Sequence, residues 1–342
     1  MRQIAQFLKE YDGAPLRLME VCGTHTAAIA QNGLRSLLSP RITLVSGPGC
    51  PVCVTVTSYI DRLVELSMEQ TVVTFGDMLR VPGSRMSLND ARAVGGHVQM
   101  VYSPMDALRL AAEQKAERFV FAAVGFETTA PIYAMLLEHM RREDITNLSL
   151  LTSLKTMPPV IDWICANQNH GIDGFLAPGH VSVVTGSDYF IPLSEKYKLP
   201  FVVAGFDGPQ LLAAVYTLVQ RQGQSGVVNL YQSAVTPDGN RQAQQMVQKY
   251  FEPCAAAWRG IGMVANSGLM LRPEYEAYDA GSGGLEQDNG GNKGCCCAQV
   301  LTGRLQPEQC PLFGSACTPS TPQGACMVSQ EGSCFHHFNS RK

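Results

Sequence analysis

The chain has 342 residues, 45% of them hydrophobic and 16% charged, with a net charge of −3. This balance gives no basic footprint for nucleic acid, and no apolar run reaches the roughly 18 residues of a membrane-spanning helix. The length favours about two domains, and the cysteines, without a leader-like apolar start, point to a reducing cytoplasm and thiols used for metal or redox work.

The elements follow in chain order. Residues 1–11 carry the spacing of an amphipathic helix. Residues 16–21 form a short apolar strand that runs into CGTHT at 22–26, and helical spacing follows. Cys22 therefore sits at a strand-to-helix turn, where free N–H groups and the helix dipole favour a thiolate. His25 lies three residues on and can share its face; the plain alternative is a buried cysteine with a capping threonine. The next strand, 42–45, ends in SGPGCPVCVT. Cys50 and Cys53 have the spacing of dithiol oxidoreductases at a helix start, and also of half a metal site. A helix over 59–69 and a strand over 71–75 lead to the loop GDMLRVPGSR, where Asp77 and Arg80 read as solvated tips.

A clear alternation follows: helix 106–116, strand 118–124, turn 125–131, helix 132–140, strand 148–154 and helix 158–167. Glu127, in GFETTAP, lies beyond a strand's C-terminal end, the ligand edge of an open parallel sheet. Strands are expected at 174–176 and 199–204, a loop edge at His180, and helices at 210–221 and 240–251. FVFAAVGFETTAP and FVVAGFDGP echo one another, which suggests two related α/β halves facing one another. Cys165 and Cys254 read as buried hydrophobes. The Gly-rich, polar stretch 280–293 reads as a linker to a third small domain.

Past that linker stand Cys295, Cys296, Cys297, Cys310, Cys317, Cys326 and Cys334, with Pro and Gly between them. Such a segment needs a covalent or metal staple. A disulfide knot suits a secreted protein. Structural zinc usually shows C-x2-C knuckles, and none follows Cys295. An iron–sulfur cluster is the third reading, with an unusual spacing because the bacterial ferredoxin run is absent. The spacing leaves the three readings open.

MEVCGTHT, GPGCPVCVT, GFETTAP, FLAPGHVS and LTGRLQPEQCPLFGSACTPSTPQGACMVSQEGSC follow in order from Met19 to Cys334. Together they resemble the HypD family of hydrogenase maturation factors. The resemblance implies an α/β fold: two α/β domains with parallel sheets facing a cleft, plus a small Cys-rich iron–sulfur domain. We place these domains at residues 1–140, 141–279 and 280–342. It implies assembly of the iron–dicyano–carbonyl unit of [NiFe] hydrogenases, together with the chaperone HypC and cyanide from HypE. Cys22 maps onto the position that binds this iron, and Cys50 and Cys53 onto a dithiol in the cleft. Cys295, Cys310, Cys317 and Cys334 map onto ligands of a [4Fe-4S] cluster, and Cys297 and Cys326 onto a redox disulfide. His25 and Glu127 are the best acid/base groups or iron positioners.

Two departures stand out. The family's C-x-C-G is Cys295-Cys296-Cys297-Ala298 here, so Cys296 is an extra thiol and which of the three binds iron is open. The tail carries His336 and His337 where tyrosines are common, and both read as surface residues. A cytoplasmic chain, monomeric when alone, with no nucleic acid or membrane partner, is expected. The rival function is an iron–sulfur dithiol/disulfide oxidoreductase acting on a protein partner. It needs the same cysteines but not CGTHT. A third is a scaffold whose metal only folds the C-terminal segment.

Overall fold

A computed structural model describes residues 1–167, 171–289, 292 and 294–340. The strands are β1 (Leu16–Glu20), β2 (Ile42–Ser46), β3 (Thr71–Thr74), β4 (Val98–Met100), β5 (Phe119–Gly125) and β6 (Leu148–Lys155). They continue with β7 (Gly174–Pro178), β8 (Pro200–Ala204), β9 (Gly226–Asn229), β10 (Phe251–Trp258) and β11 (Gly262–Leu271). One sheet has the order β2-β1-β7-β8-β9 and the other β10-β11-β6-β5-β3-β4. The first is parallel throughout. The second is parallel except where β11 meets β6 and β10. Strands covered on both faces read as unbroken apolar runs. That is why β5, β7 and β8 are buried at every position.

The protein is thus α/β with one parallel and one mixed sheet and a Cys-rich C-terminal region. The chain does not build the sheets one after the other. The first takes strands from residues 16–46 and 174–229, the second from 71–155 and 251–271. The expected boundary between residues 140 and 141 therefore does not follow the sheets. It cuts between β5 and β6, which pair from Phe119↔Leu148 to Gly125↔Leu154. The two echoing segments do fall in different sheets, β5 in one and β8 in the other.

The hairpin β10–β11 was not legible. β10 reads FEPCAAAW, and alanine and proline are poor strand formers. Pro253 is tolerated because β10 is an edge strand. Its last residue, Trp258, is wholly buried, stacks on Phe126 and donates from Nε1 to Ser267 Oγ at 2.8 Å.

The stretch expected to be a free linker is tied down over its described part. Ala280 N donates to Leu150 O, and Thr152 N to Ser282 Oγ. Ser58 N donates to Gln287 O, and Gly260 N to Asp288. Positions 290, 291 and 293 of that stretch lie outside the described residues. The cysteine segment beyond it does not stand apart either. Val300, Leu301, Cys317, Cys326, Met327 and Cys334 share an apolar core with Met19, Val45 and Trp258. Ala325 and Val328 reach the core around β3 and β5.

Trp258→Ala should cost about 3–5 kcal/mol, the range for deleting a buried aromatic ring. Urea unfolding measures it. A loss below about 1 kcal/mol would mean the Phe126 stack and the Ser267 bond hold little together.

Candidate functional site

Cys22 follows the end of β1 and is the N-cap of helix Gly23–Gln31, as expected. The turn is braced by backbone. Gly23 N donates to Gly49 O at 2.9 Å, and a Cβ on Gly49 would stand 2.2 Å from Cys22 N. Only glycine fits there. Glu20 folds its buried side chain beneath the turn. Its Oε2 accepts from Cys22 N at 3.0 Å and its Oε1 from Thr26 Oγ1. Burial lifts its carboxyl to about 7.

The expected thiolate is corrected here. The amides of His25 and Thr24 do favour the Cys22 anion, but burial outweighs them, and the charges of Glu331 and Glu20 oppose it further. The thiol is pushed up to about 12. His25 is wholly buried, and its Nε2 meets the carbonyls of Ala204 at 3.2 Å and Gly205 at 3.1 Å. Carbonyls only accept, so Nε2 carries the proton. Burial lowers its pKa to about 4, so the ring is neutral and Nδ1 bears a lone pair. That atom is buried without a hydrogen-bond partner among the described residues.

Cys50 and Cys53 are joined in a disulfide with Cα atoms 5.3 Å apart, both sulfurs deeply buried. They lie in a turn ahead of helix Thr57–Ser67, whose N-cap is Val56, and not at the helix start expected. The same loop carries Gly49, so the pair is fixed to the Cys22 turn by a short piece of backbone. Glu127 stands at the end of β5, as expected. Its Oε1 accepts from Met157 N at 2.7 Å and from Tyr189 Oη at 3.2 Å. Its Oε2 is buried without a partner among the described residues, and burial raises the carboxyl to about 7. No hydrogen bond among the described residues joins Glu127 to the Cys22 turn.

Cys295, Cys296, Cys297, Cys310, Cys317 and Cys334 line one small cavity with Val300, Phe313 and Met327. Cys295 and Cys297 Sγ are 3.4 Å apart, and Cys326 neighbours Cys297 and Cys334. The Cys297 and Cys326 thiols beside it favour the Cys334 thiolate and bring its pKa down to about 6. Cys317 Sγ accepts the amides of Gln323, at 3.4 Å, and of Gly324. Cys297 and Cys326, mapped above onto a disulfide, are neighbouring free thiols. Gly324 lies close beneath two of the cavity thiols: a Cβ there would stand 2.6 Å from Cys297 Sγ and 2.8 Å from Cys295 Sγ, so both sulfurs would have to move. Among the described residues no group of three or more Cys, His, Asp or Glu is already disposed around a metal ion. The donor set is nevertheless all sulfur in apolar surroundings, which fits a soft thiolate-bound group.

Several residues outside the expected site hold this segment in place. Asp77 Oδ2 accepts from Ser329 Oγ at 3.0 Å and from Gln330 N, and Arg80 donates to Val328 O. Asp77 is therefore not the solvated tip expected, while Arg80 is exposed as expected. Thr24 Oγ1 donates to Glu331 at 3.1 Å, and Glu331 packs on Gly23. His336 is buried, with Nε2 against Gln330 O, and His337 Nδ1 meets Glu308, so neither is a free surface residue. His180 lies in helix Gly179–Thr185. Cys165 is buried as expected, while Cys254 is only partly so. Lys155 was missed: it is buried, donates to Ser153 Oγ, and is brought down to about 7 by burial. Glu20 was missed too, although an acid beside CGTHT was visible.

The HypD family model, described as "Hydrogenase formation hypA family", matches residues 1–341. The chain belongs to the HypD family. It is 41% identical over 351 residues to hydrogenase maturation factor HypD of Escherichia coli, covering 100% of this chain and 94% of that protein. It is 40% identical over 336 residues to a putative hydrogenase expression/formation protein of Methanocaldococcus jannaschii, covering 96% and 92%. With HypD of Rhodobacter capsulatus the identity is 40% over 335 residues, covering 95% and 89%. No helix among the described residues is long and apolar enough to cross a membrane.

Alkylation of Cys22, followed in tryptic peptide 18–35, should be slow at neutral pH and rise about tenfold per pH unit up to about pH 9.5, since only the thiolate reacts. A plateau below about pH 9 would mean that the helix end, and not burial, governs the thiol. Gly324→Ala should drive Cys295 and Cys297 out of place and raise their alkylation severalfold in mass spectra; unchanged reactivity would refute the crowding.

Proposed function

We propose that this protein is a scaffold in hydrogenase maturation, on which the iron–dicyano–carbonyl unit is assembled with HypC and with cyanide from HypE. The role in hydrogenase maturation follows from family membership. One observation supports the finer reading: the Cys22 turn touches the loop of the Cys50–Cys53 disulfide on one side and Glu331 of the cysteine segment on the other. Cys22 holds the substrate iron through its sulfur. Its thiol is protonated at neutral pH, so binding iron expels a proton, as metal coordination of a thiol does. His25 keeps its proton on Nε2, against β8, and leaves Nδ1 free to accept. A single thiolate leaves the iron's coordination incomplete, which gives a ligand from the partner its place.

The disulfide Cys50–Cys53 takes up two electrons and two protons to become a dithiol, and returns them in the reverse step. Its sulfurs are buried, which argues against the rival reading, in which they attack a partner's disulfide. Cys295, Cys310, Cys317 and Cys334 would hold a [4Fe-4S] cluster, which supplies electrons one at a time when bound. The apolar core that Cys317 and Cys334 share with Cys50 and Cys53 excludes water between them.

Protein prepared anaerobically should be brown, with about four iron and four sulfide per chain. Cys317→Ala should lose most of both. Cys22→Ala should keep the cluster, yet its complex with HypC should lack infrared bands of cyanide and carbonyl. Full bands from Cys22→Ala would remove Cys22 as the iron ligand, and stoichiometric zinc without sulfide would remove the cluster.

A further inference from the structure

Cys296 has no part in the reading above. It is additional to the pattern that maps onto Cys295 and Cys297, yet its thiol does not turn away. It lines the same cavity as the other thiols. Its Sγ lies 3.7 Å from Gly294 O, and Cys310 Sγ lies 4.0 Å from the same oxygen. Two sulfurs therefore crowd one corner of the cavity, both held under the carbonyl that precedes Cys295.

The other corners differ. Cys317 is fixed by two backbone amides. Cys334 is engaged by Cys297 and Cys326. Cys295 stands 3.4 Å from Cys297, but Gly324 crowds both sulfurs and Cys297 is already committed to Cys326 and Cys334. Among the described residues, Cys310 is the cavity thiol that shares a carbonyl, that of Gly294, with Cys296.

We propose that Cys296 is a competent ligand that can take the corner held by Cys310, so that the cavity offers a spare thiolate for its metal group. This rests on the cluster reading. A change of χ1 well swings a cysteine sulfur by about 3 Å, a movement on the scale needed to trade places with a thiol held under the same carbonyl. In the exchange Cys296 gives its proton to the departing Cys310 sulfur as one iron–sulfur bond forms and the other breaks. No electron moves and no oxidant is needed.

The test uses full-length, anaerobically purified Cys310→Ser, Cys296→Ser, the double variant, and Cys317→Ser as reference. Far-ultraviolet circular dichroism checks the fold, and Cys310→Ala repeats the measurement without a serine oxygen. Metal and sulfide per chain, and the electron paramagnetic resonance of the reduced protein, are read. Cys310→Ser and Cys296→Ser should each keep more than half of the wild-type metal, and the double variant should lose as much as Cys317→Ser. In loaded Cys310→Ser, Cys296 should become protected from alkylation, a change that packing alone would not produce. If Cys310→Ser loses its metal as Cys317→Ser does, or the double variant keeps as much as Cys310→Ser, the proposal is overturned while the cluster reading stands. If the wild type carries zinc without sulfide, the cluster reading falls, and the same variants read by zinc content decide the exchange. A metal-free wild type overturns both.

Discussion

The contact of Gly49 with Cys22 is the constraint on which the site depends. Two loops leave neighbouring parallel strands, β1 and β2, at the same end, and their backbones meet without an intervening side chain. A methyl group on Gly49 would part them, since the nearest atoms are backbone and cannot rotate aside. The close approach lets Gly49 O accept from Gly23 N, and Glu20 O from Gly47 N at 2.7 Å. These bonds satisfy donors that a helix start and a tight loop would otherwise leave bare. They also fix the distance between the lone thiol and the paired ones.

The electrostatics of Cys22 are settled by magnitude. A helix N-terminus is worth about 0.3–1 kcal/mol, which is less than one pKa unit at about 1.36 kcal/mol per unit. Burial of an ionisable group moves it by up to about 3–5 units. The thiol is therefore stored protonated, and two acids, Glu20 and Glu331, keep it so. A thiol in this state resists stray oxidants and alkylating agents.

Much of this was legible. Short apolar runs placed the strand ends, and with them Cys22, Cys50, Cys53 and Glu127, because each run is bounded by glycine or proline. Which strands share a sheet was not legible, since pairing between residues as far apart as Leu18 and Gly174 leaves no local trace. The same holds for Asp77 and Ser329, which are 252 positions apart. Each looks like an ordinary polar loop residue until the other is beside it. The glycine-rich stretch misled because its composition does describe a free chain. Its backbone is held by partners such as Leu150 and Ser58, which no property of the stretch itself announces.

The interleaving of the sheets governs the order of events as the chain leaves the ribosome. β1 and β2 emerge early, but their sheet waits for β7, β8 and β9, so the Cys22 turn has no roof while more than half of the chain is still unmade. Such long-range pairing folds slowly. The cysteine segment comes last, and it completes the apolar cores of both sheets. Closure of the whole molecule is then a terminal step. A chain that failed to dock that segment would leave both cores open and expose apolar surface to quality control.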